Sequence, residues 1–148
     1  IQRRFTKVFS VGKREFYDDY AHHPTEIKAV INSARQVNKD RKIICVFQPH
    51  RYSRVKSLKN EFASSFRSSD TVVLCPVYSA GEKTKYNFNQ DNFSKLISKK
   101  SKTQIINIKS QKELKSYFKK NLLEDEMIIC MGAGSISNWI REIGDELK

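Results

Sequence analysis

All three histidines of the chain, His22, His23 and His50, fall in two short stretches that each follow an apolar run. The first stretch is Asp18-Asp19-Tyr20-Ala21-His22-His23-Pro24, and the second is Gln48-Pro49-His50-Arg51-Tyr52-Ser53-Arg54. Imidazoles exchange protons near neutrality, a carboxylate such as Asp19 accepts from a ribose or a hydrated metal, and guanidiniums fork onto carboxylates and phosphates. Arg51 and Arg54 stand three apart. On one helical turn their guanidiniums are expected to converge on an anion at the helix start. Plainer readings stand beside these. His22 and His23 next to Pro24 could cap a helix through their ring nitrogens, and the arginines could be solvated surface charges. Zinc held by Asp19, His22 and His50 fits no HExxH or CxxC spacing.

Two further stretches follow apolar runs: Val77-Tyr78-Ser79-Ala80-Gly81-Glu82 and Gly132-Ala133-Gly134-Ser135. The second resembles part of a dinucleotide fingerprint, but Ser137 holds the third glycine position and the motif lies late in the chain. Tight strand-to-helix packing is the expected role of these glycines. A GxxxxGK[ST] phosphate loop does not occur. That leaves the chain without the usual cradle for a nucleoside triphosphate.

These stretches need elements to hold them at one edge. Arg14 to Asp19 reads as a strand ending in acids, after a hairpin from Phe5 to Phe16 around Gly12. Ile27, Val30, Ile31 and Ala34 recur at helical spacing, with Pro24 suited to the first helical position. Lys42 to Phe47, Thr71 to Leu74, Thr103 to Ile108 and Glu126 to Cys130 are predicted strands. A helix through Leu58, Phe62 and Phe66 is predicted after Pro49. Others are expected over Asn89 to Lys99, from a capping box at Ser110 and Glu113, and over Ile136 to Leu147. Alternation of strand and helix predicts one α/β domain built on a doubly wound, mainly parallel sheet. In such sheets ligands bind outside the carboxyl ends of the strands, where the four stretches lie.

Composition bounds the rest. The 148 residues suit one domain with its own core. Lys and Arg number 28 against 16 Asp and Glu, a formal charge of +12. Between Lys95 and Lys120 nine lysines meet one acid, Glu113, with no aromatic stacking platform interleaved. This reads as a solvated surface rather than a nucleic-acid groove. Cys45, Cys75 and Cys130 sit singly in apolar runs, as buried free thiols of a reducing compartment do. No apolar run approaches the roughly 20 residues of a membrane span, so a soluble protein is expected.

Taken together, Asp18 to Glu26, Phe47 to Arg54, Val77 to Glu82 and Gly132 to Gly134 closely resemble the C-terminal domain of the Mur ligase family, in its alanine-adding branch. The likeness runs from Arg3-Arg4-Phe5, similar to the family's linker, to the end of the chain. Pro76, Ser79 and Ser135 depart from residues common in the family (Glu, Pro, and Asp or Asn). The resemblance implies that residues 1–148 are the Rossmann-like closing domain of a three-domain cytoplasmic enzyme. Its other two domains, absent from the chain, would hold the UDP-sugar and the ATP with Mg2+. The implied reaction is ATP-driven: UDP-N-acetylmuramate is phosphorylated on its lactyl carboxylate, and L-alanine attacks the acyl phosphate. By the same resemblance Tyr20, His22, His50, Arg51 and Arg54 would surround the alanine, while Arg4 and Asp19 would reach the nucleotide. The resemblance implies no metal ligands in this domain. A murein-peptide ligase of the same family is the nearest alternative, and a basic nucleic-acid-binding module a more distant one.

Overall fold

The computed structural model describes residues 4–122 and 124–147. Arg3, the start of the expected linker, lies outside them. The chain opens with β1 (Thr6–Val11) and β2 (Arg14–Asp19), an antiparallel hairpin whose two-residue turn begins at Gly12. Gly12 has φ +63, the left-handed conformation that such turns require at this position. There follow α1 (Pro24–Val37), β3 (Ile43–Phe47), α2 (Tyr52–Ser57), α3 (Lys59–Ala63) and β4 (Thr71–Leu74). Then come α4 (Gln90–Ser101), β5 (Gln104–Asn107), α5 (Gln111–Asn121), β6 (Met127–Met131) and α6 (Ile136–Leu147). The six strands form one sheet in the order β1-β2-β6-β3-β4-β5, parallel except for β1. The expected doubly wound α/β architecture with its hairpin is the observed one.

The sheet divides the core by the two-residue alternation of its side chains. Ile43, Cys45, Phe47, Val72, Leu74, Ile129 and Met131 face one layer, with Ile27 and Ile31 of α1, Phe62 of α3 and Phe93 and Ile97 of α4. Ile44, Val46, Val73, Ile128 and Cys130 face the other, with Leu114 and Phe118 of α5 and Ile136, Ile140 and Ile143 of α6. Both layers are fully buried, which is why β3 and β6 read as unbroken apolar runs. Chain direction across the sheet reverses once. Helices α1 to α4 cover one face as the chain moves from β2 through β3 and β4 to β5, and α5 returns it over the other face to β6. Since β6 is flanked by β2 and β3, their three exits meet at one edge.

Local chemistry accounts for most boundaries. Asn89 caps α4 by accepting from the Asn92 N–H at 2.9 Å, and Ser110 accepts from the Glu113 N–H at 3.2 Å. The Glu113 carboxylate reaches back one residue beyond the cap, to the Lys109 N–H at 2.8 Å. The single helix expected through Leu58, Phe62 and Phe66 is instead two short ones broken at Leu58, whose φ of −118° leaves the helical region. Phe66 lies beyond α3. Its N–H donates to the Ser101 hydroxyl of α4 at 3.0 Å and its ring packs 5.4 Å from that of Phe47. Tertiary bonding and burial thus replace the last helical turn while keeping Phe66 inside.

The hairpin is fastened to α6 through Gly144 and Phe9. A Cβ at Gly144 would stand 2.6 Å from the Phe9 ring, which itself stacks on Phe16 at 4.2 Å. Gly144→Ala is therefore expected to lower stability by about 1–3 kcal/mol through overpacking. That outweighs the gain of roughly 1 kcal/mol in helix propensity. Urea unfolding measures this, and an unchanged or raised midpoint would show that Phe9 moves aside freely.

Candidate functional site

Asp19 ends β2 and is 8% exposed, and its two carboxylate oxygens accept from different backbone groups. Oδ2 takes the Phe5 N–H and Oδ1 the Ala21 N–H, each at 2.8 Å. This ties the incoming chain to the turn after β2. Arg4, Asp19 and Tyr20 line a common cleft of ≈ 430 Å³ closed by Glu26, Ala29 and Val30. The two residues expected near a nucleotide therefore do come together, with Asp19 acting first as a structural tie.

The next residues build a row of rings. Tyr20 meets His22 edge-on at 4.9 Å, His22 meets His50 at 5.7 Å, and His50 stacks on Tyr78 at 5.6 Å. Residues from the exits of β2, β3 and β4 are thus assembled into one surface. The hydrogen bonds set the imidazole tautomers. His22 Nδ1 lies 3.0 Å from the Tyr20 carbonyl, which only accepts, so this nitrogen carries the proton and Nε2 a lone pair. His50 Nδ1 lies 2.9 Å from Arg54 Nη1, which only donates, so its proton is on Nε2. The backbone of α1 is capped by Glu26, which accepts from the His22 and His23 N–H groups at 3.1 and 3.2 Å.

The two arginines do not converge as their spacing predicts. Arg51 precedes α2 with φ +76, outside the helix, and its Nε donates to Glu82 at 3.4 Å. Arg54 folds back over His50, donating to its carbonyl at 2.8 Å as well as to its ring. A pairing that extends the β3–β4 register fixes the unusual Arg51 backbone. Tyr78 N–H donates to the Pro49 carbonyl and Arg51 N–H to the Tyr78 carbonyl, both at 2.8 Å. The start of α2 is already neutralised. The Glu82 carboxylate takes the Ser53 N–H at 3.2 Å and bonds the Ser53 hydroxyl. These bonds, the hydroxyl foremost, hold the Glu82 carboxyl below its ordinary range.

Gln48 locks the β3 exit to the β6 exit. Its backbone N–H donates to the Met131 carbonyl at 3.0 Å, its Oε1 accepts from Ile136 N–H at 3.0 Å, and its Nε2 donates to Ser135 Oγ at 2.9 Å. Gly134 fits under Tyr78 so closely that a Cβ would lie 2.4 Å from the Tyr78 ring. The glycines therefore serve packing, as their position predicts, and the α6 N-terminus is capped by Gln48. Among the described residues, no group of three His, Cys, Asp or Glu side chains is arranged to hold a metal ion. Asp19, whose two oxygens each hold a backbone N–H and which belongs to no such group, does not by itself make a Mg2+ site.

Residues 3–134 match the family model of the Mur ligase, glutamate ligase domain. The chain belongs to the Mur ligase family. This Mur ligase domain is 48% identical over 143 residues to the UDP-N-acetylmuramate–L-alanine ligase of Pelagibacter ubique (strain HTCC1062), covering 97% of the chain and 31% of that relative. It is 37% identical to the same-named ligase of Ruegeria pomeroyi, covering 100% of the chain and 32% of the relative. The chain thus spans roughly a third of the length of the curated relatives it matches. Among solved structures, the UDP-N-acetylmuramate–alanine ligase of Thermotoga maritima superposes with a TM-score of 0.70 at 26% identity, over 99% of this chain and 30% of that one. A murein peptide ligase from Psychrobacter arcticus superposes at 0.78 with 18% identity, over 99% and 30% of the two chains, a likeness of fold alone.

Three residues of the Mur ligase domain's edge carry parts that sequence reading did not assign: Gln48, Tyr78 and Glu82. The first opens the motif that contains His50, and the other two lie in the Val77 to Glu82 stretch, so their positions were legible and their partners were not. Asp18 was likewise unassigned. It is fully buried at the end of β2, accepting from Ser137 Oγ at 2.7 Å and Arg141 at 2.8 Å. Ser137 at the third glycine position thus supplies a hydroxyl that bonds Asp18.

Burial first, then the charges of Arg54, of His22 in its protonated form and of Arg51, lower the His50 pKa, with Glu82 opposing them. Its folded value therefore lies below the unfolded one. Its contribution to stability is full above an ordinary histidine pKa and is lost as pH falls through the folded value. In an NMR titration the His50 ring should show a midpoint under about 6.5 that rises in Arg54→Met. A midpoint at or above that value would reject the Arg54-to-Nδ1 bond.

Proposed function

We propose that this chain is the amino-acid-binding and closing domain of a cytoplasmic, ATP-dependent ligase that joins L-alanine to UDP-N-acetylmuramate in peptidoglycan synthesis. The observation that carries this reading is the pair of imidazoles with opposite tautomers, flanked by Arg51 and Arg54 on one sheet edge. A free amino acid presents a carboxylate and an ammonium, and the edge offers a complement to each. Arg51 takes the carboxylate by exchanging it for Glu82, a group of the same chemistry that it holds at 3.4 Å. His50 adds a donor through Nε2–H. The His22 Nε2 lone pair accepts one proton from the ammonium, leaving a neutral amine. That amine attacks the acyl carbon of the phosphorylated lactyl group, forming the amide and releasing phosphate. Arg4, at the mouth of the cleft it shares with Asp19 and Tyr20, offsets phosphate charge of the nucleotide when the domain closes.

The 48% identity to an alanine ligase supports this reading over a murein-peptide ligase, whose structural likeness is one of fold. Absence of a phosphate loop from the sequence makes the remaining machinery external to this chain. The purified 148-residue chain, given ATP, L-alanine and UDP-N-acetylmuramate, is therefore expected to release no phosphate. Measurable turnover would overturn the division of labour. In the longer enzyme that carries this domain, Arg51→Ala should raise the KM for L-alanine by about tenfold or more and leave that for ATP within about twofold. An unchanged alanine KM would remove Arg51 from the amino-acid site. Turnover that depends on a peptide and not on free alanine would favour the murein-peptide reading.

A further inference from the structure

A second pocket, of ≈ 430 Å³, opens between α2, α3, α4 and the segment that leads into α4. It shares no lining residue with the Arg4 cleft. Val55 and Phe93 give it a buried base, and the rings of Tyr52, Tyr86 and Phe88 border it. Tyr52 and Phe88 meet edge-on at 5.7 Å, and Phe88 in turn braces against Phe93 at 5.9 Å. Tyr86 is different. Its ring is 43% exposed, and its backbone and that of Asn87 are both left-handed, at φ +53 and +58. Asparagine tolerates that region, but for a tyrosine it is costly, and such strain concentrates where a segment must present a group.

The charge on this pocket has one sign. Lys56, Lys59 and Lys85 line it, and no carboxylate does among the described residues. Nor does any of the three form an ion pair there, whereas Lys7 and Lys115 elsewhere do. The Lys56 ammonium instead stands over the Tyr86 ring, 5.0 Å from its centroid. Side-chain amides of Asn60, Asn87 and Asn92 add both donors and acceptors. Ammoniums lining one pocket without a counter-ion favour a phosphate, an exposed aromatic ring such as that of Tyr86 favours a planar ring, and amides suit the polar edge of a base.

We propose that this pocket binds a nucleoside phosphate, its base against Tyr86 and Phe88 and its phosphate on Lys56, Lys59 and Lys85. Occupancy has a route to the candidate site. Tyr52 is the first residue of α2, directly after Arg51, and Ser53 is the residue that Glu82 holds. A ligand that clamps Tyr52 to the 85–89 segment braces the same helix start and the same connection that carries Glu82. Binding at the pocket stands independently of the alanine-ligase reading, since its lining includes none of the residues assigned to the amino acid.

Titration calorimetry on the 148-residue chain, with aromatic NMR spectra, tests it using uridine 5′-monophosphate and adenosine 5′-monophosphate. Saturable one-to-one binding of at least one of them is expected, shifting the ring signals of Tyr52, Tyr86 and Phe88. Uridine, adenosine and inorganic phosphate should each bind about tenfold more weakly or less, because each supplies half of the contact. Replacing the two helix lysines together, Lys56→Gln with Lys59→Gln, should weaken binding about tenfold, and Lys119→Gln on α5 should leave it within about twofold. Tyr86→Asn offers a second variant, because asparagine tolerates the left-handed backbone and loses only the ring. It too should weaken binding about tenfold. Three results would each overturn the proposal: no saturable binding of either nucleotide, phosphate binding as tightly as the nucleotides, or shifts confined to Tyr20, His22 and His50.

Discussion

The arrangement of the edge depends on Gln48. One residue bonds the β6 backbone, the first turn of α6 and the Ser135 hydroxyl, so the exits of β3 and β6 cannot part without leaving three polar groups unpaired in a buried place. Everything beyond Gln48 inherits its position from that lock. Pro49 and Arg51 pair with Tyr78, Tyr78 stacks on His50 and covers Gly134, and His50 meets His22 from the neighbouring turn. The chemistry-bearing residues are thus mounted on a hydrogen-bonded extension of the sheet rather than on free loops.

Electrostatics at this edge follows a consistent scheme. Arg51, Arg54 and the starts of α1 and α2 are each satisfied by a group of the chain itself. Glu82 occupies Arg51 and the start of α2, His50 accepts from Arg54, and Glu26 covers the start of α1. Arg51 thus rests against a carboxylate of the chain itself. The same logic sets the two histidines apart. One shows a lone pair and the other an N–H, because their Nδ1 atoms face an acceptor and a donor respectively. Identical side chains so acquire different chemistry from second partners alone.

Much of the fold was legible because periodicity and burial speak the same language. Unbroken apolar runs became β3 and β6, covered on both faces, and the spacing of Ile27, Ile31 and Ala34 became the buried stripe of α1. The failure is equally instructive. Leu58, Phe62 and Phe66 kept the inward direction that their spacing implies, yet the helix broke at Leu58 because Ser101 and Phe47 offered Phe66 better partners than another turn would. Local pattern is a statement about direction, and tertiary contact decides continuity.

The sequence alone determined which residue types would stand at the carboxyl edge. Alternation of strand and helix implies a mainly parallel sheet, and the turns after its strands hold all the histidines and the arginine pair. The four motifs also sufficed to point to the Mur ligase family. Only the tertiary structure decided who partners whom. It turned Arg51 to Glu82 and Arg54 to His50, set Asp19 as a tie between two backbone N–H groups, and placed three lysines around one pocket. The reason is physical. Side-chain identity and spacing fix what a group can do, whereas hydrogen-bond partners and charge are settled by groups distant in sequence that only the closed sheet brings within reach.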